Sequence, residues 1–456
     1  RRAGLLAALS AGAARALLDA EQLHVSVTGE ARVAVSWASP GGQAAELTIE
    51  EAAGNGTKSV SRRVLAPSSS RRYRLQCGPR YKVNCADSAV YESPLLLHVE
   101  VPVEPATAYR YRLGLGNESG RWRRFRTPPA PGQHAMRLAV LGDLGQTGFS
   151  AATCADLARA HAAEALDLAV LLGDFSYADT RNGLWDSFFR RFDEAGCSEL
   201  PWLVIPGNHE FEPDELSGEP FVPYRARWRT PEAAAEQVGN DTQVLDWRNY
   251  NLSVRYDFGG SFYGVRVGCV HFIALNPYTD ASETSPQLQW LRGELASVNR
   301  SLTPHVVVLT HAPWRHSSSV HQAEGEVATL RLRTSAEPLL VEARADMLFA
   351  GHVHAYERSR EVQGIRHFVL GHGGNREGLY NRWQAWPDSA FRAGDHYGWG
   401  LLQLGPNVTT WQARRSSDGA VVDTAEWAHG FAATAAGAPA GGQQGVGAAA
   451  PPGGAP

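Results

Sequence analysis

The sequence predicts two domains, a small antiparallel β-sandwich followed by an α/β domain with helices on both faces of its sheet. Three observations predict this. The chain has 456 residues, too many for one compact core. Residues 22 to 126 read as short, alternating, β-branched segments with no helical period. After residue 136, near-continuous apolar runs of strand length are separated by helix-like segments. A composition of 43% hydrophobic and 20% charged residues is that of an ordinary globular protein.

Residues 1–21 include "AGLLAALSAGAARALL", read as a remnant of a secretory signal or as a simple Ala-rich or disordered segment. "LHVSVTG", "ARVAVSW", "AELTIEE", "LLLHVEVP" and "AYRYRLGLG" come next, punctuated by Gly, Pro and Ser. They predict a sandwich of fibronectin or immunoglobulin type over 22–126, with no clustered His or carboxylate in it. "RTPPAPGQHAM" then reads as a Pro-rich linker.

The α/β domain spans 136–430. Its strand-like runs are "RLAVLGD", "LDLAVLLGD", "PWLVIPGN", "GVRVGCVHFIALN", "HVVVLTH", "DMLFAGH" and "RHFVLGH". "SAATCADLARAHAAEA" and "SPQLQWLRGELASV" read as helices. Residues 431–456 are Ala, Gly and Pro of low complexity, an expected disordered tail.

Charge and composition exclude some classes. A net charge of −4 without a strongly basic stretch argues against nucleic-acid binding. No apolar stretch is long enough to span a bilayer. Six of the thirteen asparagines, Asn55, Asn117, Asn240, Asn251, Asn299 and Asn407, stand in Asn-x-Ser/Thr sequences. Together they predict a glycosylated protein of the secretory pathway, extracellular or vacuolar. Of five cysteines, Cys77 and Cys85 could close a small loop and Cys154 and Cys197 could pair, while Cys269 reads as a buried strand residue. No Cys-x-x-Cys occurs, which disfavours a thiolate zinc site.

Polar signatures follow the apolar runs: Asp143 in "LGDLG", Asp174 and Tyr177 in "LGDFSYAD", Asn208 and His209 in "PGNHE", His311 in "VLTHAPW", and His352 and His354 in "GHVH". Singly, each is common turn material. Jointly, in one order after successive strands, they converge at the carboxyl edge of a sheet, where α/β folds place ligands. Two carboxylates, a phenol, an amide oxygen and three imidazoles oversupply one ion. They suit two ions sharing a bridging carboxylate, ~3.5–4 Å apart, the clamp used for in-line phosphoryl displacement.

The order GDxG, GDxxY, GNHE, VxxH, GHxH resembles the metallophosphoesterases, and within them the plant-type purple acid phosphatases, where Tyr stands in the second motif. "GHVHAYERS", "GHGGNREGL", "AEGE" and "SSDGAVVDTAEW" extend the resemblance to about residues 22 to 430. It implies an α/β/β/α catalytic sandwich behind a fibronectin III-like domain. By the same resemblance, Asp143, Tyr177 and His354 bind Fe(3+), Asp174 bridges, and Asn208, His311 and His352 hold a divalent Zn, Mn or Fe. Hard phenolate and carboxylate ligands favour the ferric ion.

The expected reaction is phosphate monoester hydrolysis with a metal-bound hydroxide as nucleophile. His321, in "VHQAEGE", is expected to act as general acid, and Asn208, His209 and His321 to contact the phosphate. The alternatives are a phosphodiesterase or nucleotide pyrophosphatase on the same scaffold, or a binding protein without catalysis. Two departures stand out: Val320 replaces a usual His, and His372 replaces an expected Asp. His316 reads as a solvated loop residue, His372, Asp179 and Glu210 as supporting groups, and His271, His305, Trp314 and Tyr356 as buried structure. The sandwich could also mediate a homodimer contact.

Overall fold

Two stacked sheets carry the chain's chemistry, and their strands are buried because both faces of each are covered. The computed structural model describes residues 20–52, 62–78, 85, 88–116, 118–133, 135–232, 242–245, 251–254 and 260–428. The signal-like segment, the low-complexity tail, and Asn55, Asn117 and Asn240 lie outside the described residues.

In the first sheet, Met136–Leu141, Leu168–Leu171 and Pro201–Val204 run parallel as central neighbours. Gly398–Leu404, Val408–Arg415 and Val421–Ala428 extend it antiparallel on one side. In the second sheet, Val270–Ala274, His305–Thr310, Met347–Ala350 and Ile365–Leu370 run parallel, with antiparallel strands at both edges.

The period-2 alternation of a strand assigns the faces. Val140, Val170 and Leu203 point between the sheets, where they share one core with Phe272, Val307, Leu309, Phe349 and Phe368. Leu141, Leu171 and Trp202 point outward against Leu157, Phe188 and Phe192 of the helices Gly148–Glu164 and Gly183–Glu194. The second sheet's outer face packs Ile273, Val306, Val308 and Leu348 against Leu288, Leu291, Leu332 and Leu340 of the helices Pro286–Ala296 and Val327–Glu342. The result is the four-layer α/β/β/α arrangement.

The N-terminal strands also make two sheets around one core, with Val25, Val35, Trp37 and Val99 from one and Leu47, Ile49, Tyr111 and Phe125 from the other. They are not detached from the four-layer fold. Glu21–Gly29 pairs parallel with Pro201–Val204, Val25 opposite Pro201, so one sheet of ten strands runs from the N-terminal segment into the α/β domain. The Pro-rich stretch after residue 126 is correspondingly no free linker. Thr127 is 1% exposed and its amide donates to the Thr107 carbonyl at 2.9 Å.

Two further expectations change. "GVRVGCVHFIALN" is a tight hairpin of Tyr263–Val267 and Val270–Ala274, so Cys269 is buried in the turn and not in a strand. The disulfides Cys77–Cys85 and Cys154–Cys197 form as read. His271, His305, Trp314 and Tyr356 are buried.

Candidate metal centre

Every predicted ligand sits just past the carboxyl end of a parallel strand or in the loop after it. Asp143 follows Met136–Leu141, Asp174 follows Leu168–Leu171, and Asn208 follows Pro201–Val204, all in the first sheet. His311 follows His305–Thr310, and His352 and His354 follow Met347–Ala350, in the second. The two sheets present these ends to one another, so residues more than 200 positions apart meet.

The chain turns abruptly to do this. Asp143, Asp174, Tyr177 and His352 have φ of 56°, 55°, 50° and 64°, a left-handed conformation that costs a non-glycine residue roughly 1–2 kcal/mol. Glu210 stabilises the Asp174 turn. It is fully buried and accepts the amides of Asp174 (2.6 Å), Gly207 (2.8 Å) and Phe175 (2.9 Å). Gly207 is obligatory there, because a Cβ would overlap the Asp174 carboxylate.

Two groups of donors result. In the first, the Tyr177 hydroxyl lies 3.1 Å from Asp143 Oδ1 and 3.2 Å from His354 Nε2, and His354 Nε2 lies 3.4 Å from the same Asp143 oxygen. His354 Nδ1 donates to the Gly378 carbonyl at 3.0 Å, so Nε2 is the free face. In the second, His311 Nε2 lies 3.0 Å from Asp174 Oδ2 and 3.0 Å from Asn208 Oδ1. Asp174, His311 and His352 offer ligand atoms within 4.8 Å of one another. The His352 amide donates to Asp143 Oδ2 at 2.8 Å, which ties the groups together.

These donors are arranged for cations. His311 Nδ1 donates to the Leu172 carbonyl at 2.6 Å, so a neutral ring would turn a bare Nε2 toward two oxygens. Asp174 Oδ2 is buried, and what faces it is His311 Nε2 at 3.0 Å, a contact that holds only while that ring carries a proton there. Burial opposes charge on both groups, yet Asp174 raises His311 to about 9, and His311 and His209 hold Asp174 below the usual carboxylate range. Burial, with Asp143 and Asp174, pushes the Tyr177 phenol well above its ordinary value. Positive charge placed among these oxygens would ease ionisation of the Tyr177 phenol and take the place of the proton that His311 otherwise holds.

His209 lies beside this centre. Burial would lower its pKa, but Asp174, Asp179 and Glu377 raise it to about 10. Its Nδ1 meets the Asp179 carboxylate, which Arg376 also holds. The ring of His321 sits 4.1 Å from that of His352. Both rings bond one oxygen of Glu326, His321 Nδ1 at 2.7 Å and His352 Nε2 at 3.0 Å.

All nine predicted metal and catalytic residues therefore gather in one place. Sequence reasoning gave no role to Glu326, although "AEGE" was the signal for it, nor to Tyr380, which stacks on His354 at 4.5 Å. His316 was misplaced. It is 7% exposed, not solvated, and its Nε2 bonds the His321 carbonyl at 3.0 Å. His372 is fully buried.

Comparison with known proteins agrees with this geometry. Residues 136–356 match the calcineurin-like phosphoesterase family, and residues 364–424 match the iron/zinc purple acid phosphatase-like protein C family. Purple acid phosphatase 22 of Arabidopsis thaliana is 37% identical over 340 residues, covering 72% of this chain and 70% of its own. Probable purple acid phosphatase 20 of the same plant is 33% identical over 417 residues, 88% of this chain and 86% of its own. The structure of purple acid phosphatase PPD1 from yellow lupin (Lupinus luteus) seeds superposes with a TM-score of 0.68 at 21% identity, covering 89% of this chain and 74% of that one, which supports the fold. The chain belongs to the purple acid phosphatases, metal-dependent enzymes that hydrolyse phosphate monoesters at a binuclear centre.

Proposed function

We propose that Asp143, Tyr177 and His354 hold a ferric ion, that Asn208, His311 and His352 hold a divalent Zn, Mn or Fe, and that Asp174 bridges them. The observation that carries this is the Tyr177 hydroxyl, 1% exposed and within 3.2 Å of both an aspartate oxygen and an imidazole nitrogen. A phenolate beside a carboxylate is a hard, anionic pair suited to a trivalent ion. When bound, such ions activate water and neutralise the phosphoryl oxygens.

The chain's own residues would do the rest. Asn208 and His209 orient the phosphate, with Asp179 fixing the imidazole of His209. His321 delivers a proton to the departing alkoxide from Nε2, since Nδ1 is engaged by Glu326. Tyr380, 5.7 Å from His321 and stacked on His354, would form one wall of the site.

The protein is read as a secreted or vacuolar glycoprotein. Two disulfides and the exposed Asn299 and Asn407 support that reading. Among the described residues no helix is long and apolar enough to cross a membrane. Residues 22–126 are read as a fibronectin III-like sandwich fused by sheet pairing to the catalytic domain at 136–430.

A visible spectrum with metal analysis tests the ion assignment. A charge-transfer band lost in Tyr177→Phe is the expected result. A colourless, active protein holding two zinc or manganese ions would sink the ferric reading.

A further inference from the structure

The five-stranded N-terminal sheet turns one face to the core, through Leu47, Ile49, Tyr109, Tyr111 and Phe125. Its other face carries arginines in register. Arg62 opposes Glu50, Glu50 opposes Arg110, and Arg110 opposes Arg124, a single line across four strands. Arg112 stands in the next row, opposite Thr48. Glu50 is consumed by Arg110. Arg62 and Arg124 are exposed and form no ion pair among the described residues. Along the strand that carries Glu50, the other carboxylate of this face is Glu46, at its far end.

Like charges directly opposite one another destabilise a sheet. Arg110 facing Arg124, with one carboxylate shared along the whole row, is such a case, in a chain whose net charge is −4. Trp122 explains how the row is held. The guanidinium carbons of Arg110 and Arg112 each lie 4.7 Å from its ring centre, which orients both side chains before any partner arrives. The ring is therefore engaged by cations and is no platform for a nucleobase.

We propose that this face docks a linear acidic polysaccharide, with carboxylates of the polymer taking the guanidinium forks. Strands lie ~4.8 Å apart, so Arg62 to Arg124 spans roughly 14 Å, a line matched by an extended polyanion crossing the strands and not by a single small anion. Planar guanidiniums meet carboxylates through two parallel hydrogen bonds, which sets position as well as charge. None of these residues touches the metal centre, so docking would localise the phosphatase without altering its chemistry.

The test uses the full chain and polygalacturonate. Affinity electrophoresis at low ionic strength should show retardation that added salt removes. The combined Arg62→Ser, Arg112→Ser, Arg124→Ser variant should bind ~10-fold more weakly with unchanged hydrolysis of a small aryl phosphate. The matching triple Lys variant should keep part of the affinity, which separates charge from folding. Three results would overturn the proposal: no retardation of the native chain, equal binding by the Ser variant, or tighter binding to duplex DNA or anionic vesicles than to the polyuronate.

Discussion

The ring of His316 donates its Nε2 proton to the carbonyl of His321, 3.0 Å away, at a residue held at a φ of 56°. A left-handed His is strained, and a buried donor on its carbonyl is what keeps the loop from relaxing. The strain serves placement, since it lays the His321 ring over His352.

His316→Ala removes that donor and leaves the carbonyl unsatisfied, a loss of ~1–2 kcal/mol. If it falls on the placement of His321, kcat should drop roughly ten-fold with little change in metal content. His316→Gln, which keeps an N–H at similar reach, should recover much of the rate. Steady-state kinetics with metal analysis decides; an Ala variant with native kcat makes His316 a packing residue only.

Glu326 is shared. One of its oxygens accepts from both His321 and His352, and the other from the Thr329 hydroxyl at 3.0 Å. Burial works against its charge, but His352 and His321 hold it well below the carboxylate range. Glu326→Gln cannot accept from both rings and Thr329 at once. Such supporting carboxylates are worth ~10–100-fold in metal affinity or activity. Competition with a chelator should therefore strip metal from the variant at lower concentration, and an unchanged stripping curve would count against the coupling.

The candidate centre was legible because parallel strands buried on both faces read as unbroken apolar runs, and the residue that ends each run is polar. "LAVLGD" announces both the strand and Asp143. What could not be read is non-local. Nothing in "LHVSVTG" or "PWLVIPGN" says that Val25 pairs with Pro201, so a fused sheet was expected as two domains. "RHSSSVHQ" is polar and looks solvated, yet His316 is buried by the fold around it. The helix Val327–Glu342 carries an internal Pro338, which masked it. Glu326 stood in a recognised motif, but its role needs two partners 5 and 26 residues away.

Acid should weaken the junction between the N-terminal strands and the catalytic fold. His98 is 2% exposed, with Nε2 donating to the Ala226 carbonyl at 3.0 Å and Nδ1 accepting from Ser36 at 2.8 Å. Burial, then Arg229 and His24, lowers its pKa to about 3. A folded pKa below the unfolded value near ~6.5 means the unfolded chain takes up the proton first. The stability is complete above pH ~6.5 and is lost as pH falls toward 3, on the order of 3 kcal/mol by pH 4. His98→Gln retains the donor to Ala226 and cannot titrate. Its urea midpoint should fall less steeply than the native one between pH 6.5 and 4, and parallel slopes would refute the assignment.

Gly207 tests the centre from the side of sterics alone. It carries no chemistry, and its φ of −103° suits any residue, so backbone strain is not at issue. Space is. A Cβ there overlaps the Asp174 carboxylate, whose Oδ1 also accepts the His209 amide at 2.9 Å. Gly207→Ala must displace Asp174 and with it the oxygen nearest His311. The rest of the ligand set is untouched, so the Asp143, Tyr177 and His354 group should still take up one ion. Metal analysis should show about one equivalent where the native protein holds two, with hydrolysis lost because the in-line clamp needs both ions. Two equivalents and native activity would mean that the Asp174 turn yields, and that the bridging role belongs to another group.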